Sequence, residues 1–317
     1  MAQKIAGSGC AGGVHVYGGE GSPWTQAVLC YLHWRKDVDF THTCFPTPMM
    51  LLRSGCVMPV LSHGSGSGSR NTTGTFRILK VLGCPCTKES TWERDISAME
   101  RLFLNYALTR PATGVLGWKF WQHWANTRDR HPSMAVLYAA SLARPLLCVY
   151  FYVLIWFARA LKMFERGYVF RAAALDADLF EWESRLKGAG SRYFGGVDGP
   201  NQVDFALFGH VQAMTCGLSD AAMASLAARK DLVEWVRRMQ AHVGREYRLD
   251  FTWRLLEPSA AAVRPSQHEG NRGPVLAFWL GCGLLLCKPW LTAKVVFVLL
   301  LLRYLNPERS GRRILSL

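Results

Sequence analysis

His15-Val16-Tyr17-Gly18, Ser22-Pro23-Trp24-Thr25 and Val57-Met58-Pro59-Val60-Leu61 are the stretches whose reading decides the fold. Val14 and Val16 alternate with polar residues, as in a half-buried strand. Ser22 then precedes a Pro that fits the first turn of a helix, where a missing N–H costs nothing. From Pro23 to Lys36 the apolar residues Trp24, Val28, Tyr31 and Leu32 recur at helical spacing. Val38, Phe40, His42 and Cys44 alternate as a second strand, and Met58 to Ser62 reads as a third. Pro59 inside that apolar run cannot donate to a ladder, so it marks an edge or a special turn, often cis. Gly64 to Ser69 alternates Gly and Ser and reads as a flexible loop. Thr75 to Leu82 closes the unit as a helix, with Gly83 as its stop. Val14 to Gly83 is thus a compact βαβ…ββα unit.

The middle of the chain is helical. Ile96, Met99, Leu102, Phe103 and Tyr106 recur at steps of three and four. So do Leu175, Leu179, Trp182 and Leu186, and later Leu226, Leu232, Val233, Val236 and Met239. Within Pro200-Asn201-Gln202-Val203-Asp204-Phe205, Asn201 is placed to cap a helix and Asp204 to reach back to the cap. Asp204 also favours the positive helix end. Its expected role is in folding, not chemistry.

At 317 residues, half of them hydrophobic, the chain is long enough for two domains with full cores. The net charge of +14 is scattered among apolar residues. No Lys/Arg block has the length of a nucleic-acid arm, so nucleic acid is not an expected partner. A surface of anionic lipid suits this charge better, and a generally basic solvated surface fits it as well. Ten cysteines lack regular spacing, and Cys84-Pro85-Cys86 is not a C-x-x-C, so no metal site is expected. Residues 1–13 carry no apolar signal core. Their Gly7-x-Gly9-x-x-Gly12 matches a dinucleotide fingerprint only formally, with no strand before it and no helix after it. They read as a flexible leader.

Two apolar stretches stand outside this pattern. Pro145 to Ala158 would cover about 21 Å as a helix, short of the roughly 30 Å bilayer core. It reads as a buried helix, a membrane-dipping surface or the lining of an apolar pocket rich in Tyr150, Tyr152 and Trp156. Pro274 to Leu302 is long enough to span, but Lys288-Pro289 interrupts it. A short span from Trp290 onward, a hairpin that dips and returns, and an apolar helix packed on the soluble domain all fit. The basic residues Arg303, Arg309, Arg312 and Arg313 against Glu308 leave the tail at +3, and positive flanks resist translocation.

The Ser-Pro-Trp and Met-Pro-Val-Leu elements, followed by the capping segment, resemble the glutathione transferase superfamily. Tyr193-Phe194-Gly195-Gly196 before the cap and Phe208-Gly209-His210 after it resemble the metaxin and failed-axon branch. The basic C-terminal end resembles mitochondrial outer-membrane tail anchors. The resemblance implies an α+β fold: a thioredoxin-like N-terminal domain, then an all-α glutathione transferase C-terminal domain, plus a C-terminal hydrophobic membrane segment. The corresponding boundaries are 1–13, leader; 14–84, thioredoxin-like domain; 90–250, helical domain; 258–273, linker; 274–302, membrane segment; and 303–317, basic tail.

The resemblance also implies glutathione as co-substrate. Ser22 would be the catalytic residue, stabilising the glutathione thiolate. Trp24, Met58, Pro59 and Thr75 would form the glutathione-binding surface, Met58 pairing with the peptide and Pro59 shaping the loop. Where the family carries an acidic residue or Gln followed by Ser, this chain has Gly74-Thr75, which keeps the hydroxyl and loses the charge. The basic residue often found in the first helix is replaced by Gln26-Ala27-Val28-Leu29. Two functions remain open. One is a membrane-anchored transferase acting on lipophilic electrophiles, facing the cytosol at the mitochondrial outer membrane or endoplasmic reticulum. The other is a non-catalytic, metaxin-like scaffold or import module. A homodimer is compatible with either.

Overall fold

A computed structural model describes residues 14–19, 22–43, 50, 54–55, 57–64, 70–86, 89–108, 138, 141–143, 145–146, 149–150, 153–154, 157, 160, 172–196, 199–215, 220–243 and 272–304. The leader, most of the Gly/Ser loop, most of the 258–273 linker and the tail beyond 304 lie outside the described residues.

The N-terminal unit contains β1 (Val14–Tyr17), α1 (Pro23–Trp34), β2 (Phe40–Thr43), β3 (Val60–His63), β4 (Arg70–Thr73) and α2 (Thr75–Val81). The sheet order is β2-β1-β3-β4. β1 and β2 run parallel, with Val14 opposite Phe40; a parallel pair needs a crossover, and α1 supplies it. β3 runs antiparallel to β1, with Val16 opposite Leu61 and Tyr17 opposite Val60. β4 closes the other edge, with Leu61 opposite Thr72. This is the thioredoxin-like arrangement expected from the sequence.

Three details differ from that expectation. β3 begins at Val60, not Met58, because Pro59 has no N–H and the Met58–Pro59 peptide is cis. β2 is shorter than the alternating run and covers Phe40–Thr43. β4 is Arg-Asn-Thr-Thr, without an apolar residue to announce it; as an edge strand, it needs none.

α1 is buried along its length, from Pro23 to Leu32. An amphipathic helix on a sheet buries only one face; this helix is also covered on its far side. The cover is α5 (Gln202–Thr215), where Gly209 lets the two backbones meet. A Cβ on Gly209 would overlap the Pro23 carbonyl oxygen and lie 2.7 Å from the Ala27 nitrogen. The helical domain is completed by α3 (Glu89–Leu108), α4 (Ala172–Gly188), α6 (Asp220–Ala227) and α7 (Lys230–Val243). α3 and α4 are tied by Arg101 to Asp178 at 2.5 Å and Glu181 at 2.7 Å, and by Asn105 to Asp178 at 2.6 Å. Leu226 belongs to the short α6, not to the later face with which its spacing grouped it.

The apolar stretch 274–302 is not one continuous helix. α8 (Arg272–Cys287) and α9 (Pro289–Tyr304) meet at Lys288 with a bend of 101°. Among the described residues no single helix is long and apolar enough to cross a membrane; only this bent pair qualifies by length and composition. Thr292 bridges the break, its hydroxyl donating to the carbonyls of Leu285 and Lys288. The described residues between 141 and 160 are helical. Tyr150 and Leu154 pack with Val296, Leu299 and Leu300 in a second, smaller apolar cluster. Of the 145–158 stretch, Tyr150 and Leu154 thus pack on the C-terminal pair, while Tyr152 and Trp156 lie outside the described residues.

Candidate functional site

Ser22 stands at the N-cap of α1 in extended conformation, φ −83° and ψ 122°. Its carbonyl accepts from Gln26 N–H at 3.0 Å, and its own N–H donates to Gly19 at 3.0 Å. The hydroxyl makes no capping bond to the helix. It is half-exposed, and the first turn of α1 holds no acidic residue to offset the positive helix end. An uncompensated helix N-terminus with a hydroxyl beside it suits an anion.

The sheet register brings the other candidates to this end. Tyr17 pairs with Val60, so the turn leaving β1 lies alongside Met58 and Pro59 entering β3. Gly74 N–H donates to the Pro59 carbonyl at 3.3 Å, which fixes the start of α2 at the same edge. Gly74 has φ +85°, where glycine is favoured, and the space outside it is open. Met58 is half-exposed and Pro59 is buried.

Trp24 and Thr75 lie below this corner. The Thr75 hydroxyl donates to the Trp24 carbonyl at 3.1 Å, and both residues are buried. The Trp24 ring stands edge-on to Phe76, centroids 6.1 Å apart, and to His210 at 4.7 Å. What the structure places outward are Ser22 and Met58; what it places underneath are Trp24, Pro59 and Thr75.

The support comes from α5. Asn201 accepts from the Val203 and Asp204 N–H groups at 2.8 and 3.2 Å, and Asp204 accepts in return from Asn201 N–H at 3.0 Å. This is the capping box expected from the sequence. Asp204 also accepts from Phe194 N–H at 3.0 Å, Gly195 N–H at 2.9 Å and the Trp235 indole at 2.9 Å. Burial pushes its carboxyl above the usual range, and these donors oppose the shift. Cys84-Pro85-Cys86 docks against the same helix end. Gln202 donates from its backbone to Pro85 at 3.0 Å and from its amide to Cys86 sulfur at 3.2 Å. Burial raises the Cys84 thiol strongly, so it stays protonated.

Three residues support this corner in ways their sequence readings did not give. Gly209 seats α5 on α1. His210, fully buried beside Trp24 and Phe103, is pushed down to about 3 by burial and is neutral at pH 7. His42 contacts the Gly18 carbonyl through Nε2 at 2.8 Å, at the exit of β1. His42 was read only as part of the second strand, and Gly209 and His210 only as part of the Phe208-Gly209-His210 pattern.

No family model matches the sequence, and no curated protein matches it. Solved structures with a similar chain path include glutathione S-transferase III in its apo form (16% identity, covering 80% of this chain and 99% of that one, TM-score 0.41). Another is glutathione transferase Omega 2S from Trametes versicolor (14% identity, 81% and 99% coverage, TM-score 0.41). A third is FzlA from C. crescentus (12% identity, 73% and 92% coverage, TM-score 0.39).

Proposed function

We propose that this chain is a membrane-associated, glutathione-transferase-like enzyme that activates glutathione through Ser22 and passes its sulfur to lipophilic electrophiles. The observation that carries this reading is the Ser22 hydroxyl, uncommitted to its own helix, at the sheet end that holds the cis Met58–Pro59 peptide. The hydroxyl would donate to the sulfur anion, and the positive end of α1 would add to the stabilisation. Lowering the thiol pKa in this way needs no general base. The thiolate then forms a carbon–sulfur bond, and the electron pair leaves with the departing group or onto the acceptor. Met58 would pair with the peptide of glutathione, with Pro59 shaping its loop and Trp24 and Thr75 supporting the corner. The C-terminal apolar pair would hold the enzyme where lipophilic substrates concentrate, on a cytosol-facing mitochondrial outer or endoplasmic reticulum membrane.

A second reading has its own observation. The Thr75 hydroxyl is spent on Trp24, and Gly74 brings no charge to the γ-glutamyl end. This favours a metaxin-like scaffold that keeps the fold for protein contacts.

Ser22→Ala separates the two. Losing one hydrogen bond to an anion costs about 1.5–3 kcal/mol. The enzyme reading expects a roughly ten- to hundredfold fall in conjugation rate with a generic electrophile, and much less change in glutathione affinity. The deficit should shrink at high pH, where the thiol ionises unaided. Equal rates in both proteins, or none in either, would leave the scaffold.

A further inference from the structure

We propose that the bent pair α8–α9 lies in the plane of one leaflet of an anionic bilayer, with Arg272, Lys288 and Arg303 all at headgroup level. This deepens the membrane association proposed above and rests on it.

The first support is the division of faces. Leu276, Leu280 and Leu284 form one outer row on α8, and Trp290, Phe297 and Leu301 form another on α9. Leu280 is 61% exposed and Phe297 65%. The opposite faces are taken by protein. Phe278 and Val296 are buried, and a Cβ on Gly281 would overlap the Leu142 carbonyl. Val296 packs on Tyr150 and Leu154. Each helix thus needs lipid on one side only, as an interfacial helix does.

The second support is the position of the charges on the bend. Each helix has 16 residues and a length of about 24 Å, less than the roughly 30 Å hydrocarbon core. If the pair crossed the bilayer end to end, Lys288 would sit near its midplane. If the elbow dipped and both ends stayed at the surface, a bend of 101° would carry Lys288 about 19 Å deep, past the midplane. Either placement buries a cation in hydrocarbon. Only an in-plane pair keeps the two ends and the elbow at the surface together.

The third support is charge complementarity. Residues 272–304 contain Arg272, Lys288, Lys294 and Arg303 and no Asp or Glu. In sequence, 138–160 likewise holds Arg144 and Arg159 and no acid. Anionic lipid is the occupant that suits an apolar face with cationic corners. Lys294 lies on the exposed face of α9, its ammonium 4.9 Å from the Trp290 ring centroid. Tryptophan and a snorkelling lysine both favour the headgroup boundary.

The test uses the full-length protein. Flotation with phosphatidylcholine vesicles should show binding that rises roughly tenfold or more when phosphatidylserine is added and falls with salt. Leu280→Asp and Phe297→Asp should each reduce binding roughly tenfold or more, with an unchanged circular dichroism spectrum because both side chains are mostly exposed. Unchanged binding would overturn the outer-face assignment. Topology is read after synthesis with sealed microsomes, using a glycosylation site added after Leu317. The site should stay unmodified. Lys288, exposed at the elbow, should react with an impermeant amine reagent in the membrane-bound protein, scored by peptide mass.

Glycosylation would show a crossing pair, and a protected Lys288 a dipping elbow. Either result overturns the in-plane arrangement while leaving membrane association intact. Failure to float or pellet with any membrane, with a dimer in solution, would assign the apolar face to a second copy and remove both.

Discussion

Replacing Asp204 with Ala should cost about 4 kcal/mol or more of folding stability. The carboxylate is fully buried and accepts from four donors: the backbone of Phe194, Gly195 and Asn201, and the Trp235 indole. Each donor left buried and unpaired costs about 1–3 kcal/mol. Losing a helix cap alone would cost only about 0.5–2 kcal/mol. The excess reflects the other work of this side chain, which joins the 193–196 turn and α7 to the start of α5. Denaturant unfolding of the full-length protein in detergent measures the loss. Asp204→Asn keeps one acceptor and points an NH₂ at the remaining donors, so it should recover only part of it. A loss under about 2 kcal/mol would reduce Asp204 to a simple cap.

His210 should make the protein acid-sensitive. Its folded-state value of about 3 lies below the ordinary value near 6.5, so the unfolded chain binds the proton more readily. The stability tied to the neutral ring is complete above pH 6.5. It falls as the pH drops, by about 1.4 kcal/mol per pH unit, until the folded-state value is reached. At pH 4.5 the loss is roughly 2–3 kcal/mol, and near pH 3 it approaches 5 kcal/mol. The charged ring would have to sit against Trp24 and Phe103. His210→Leu removes the titrating group, so its stability should fall less steeply between pH 6.5 and 4. Parallel pH profiles for the two proteins would contradict the assignment.

The sequence was most readable where a signal is local. Pro23 after Ser22, Pro59 in an apolar run, and Asn201 three residues before Asp204 are short patterns with one mechanical meaning each. Pro23 in the first helical turn and the Asn201–Asp204 cap appear as expected; Pro59 stands before β3 at a cis turn, the alternative to an edge strand. β4 was unreadable because an edge strand can be wholly polar. The reach of Asp204 to Trp235 joins residues 31 apart, and no spacing rule covers that. Gly209 was read only within the Phe208-Gly209-His210 pattern; its importance comes from α1, far away in sequence. Around the site, Ser22 and Met58 stand outward at the corner. Thr75 illustrates the limit: its hydroxyl could be read from the sequence, but its commitment to the Trp24 carbonyl could not. Lys288-Pro289 announced a break in the apolar segment, while the 101° angle required the packing of α8 and α9 on Leu142, Tyr150 and Leu154.

The central claim is that the corner between Ser22 and the cis Met58–Pro59 peptide binds glutathione and ionises it. Titrating the full-length protein with glutathione near neutral pH, while following the ultraviolet absorbance of the thiolate, tests this directly. The account predicts saturable binding with a thiolate signal in the wild type, and binding without that signal in Ser22→Ala. No binding of glutathione up to millimolar concentration, or an undiminished thiolate signal in Ser22→Ala, would contradict it.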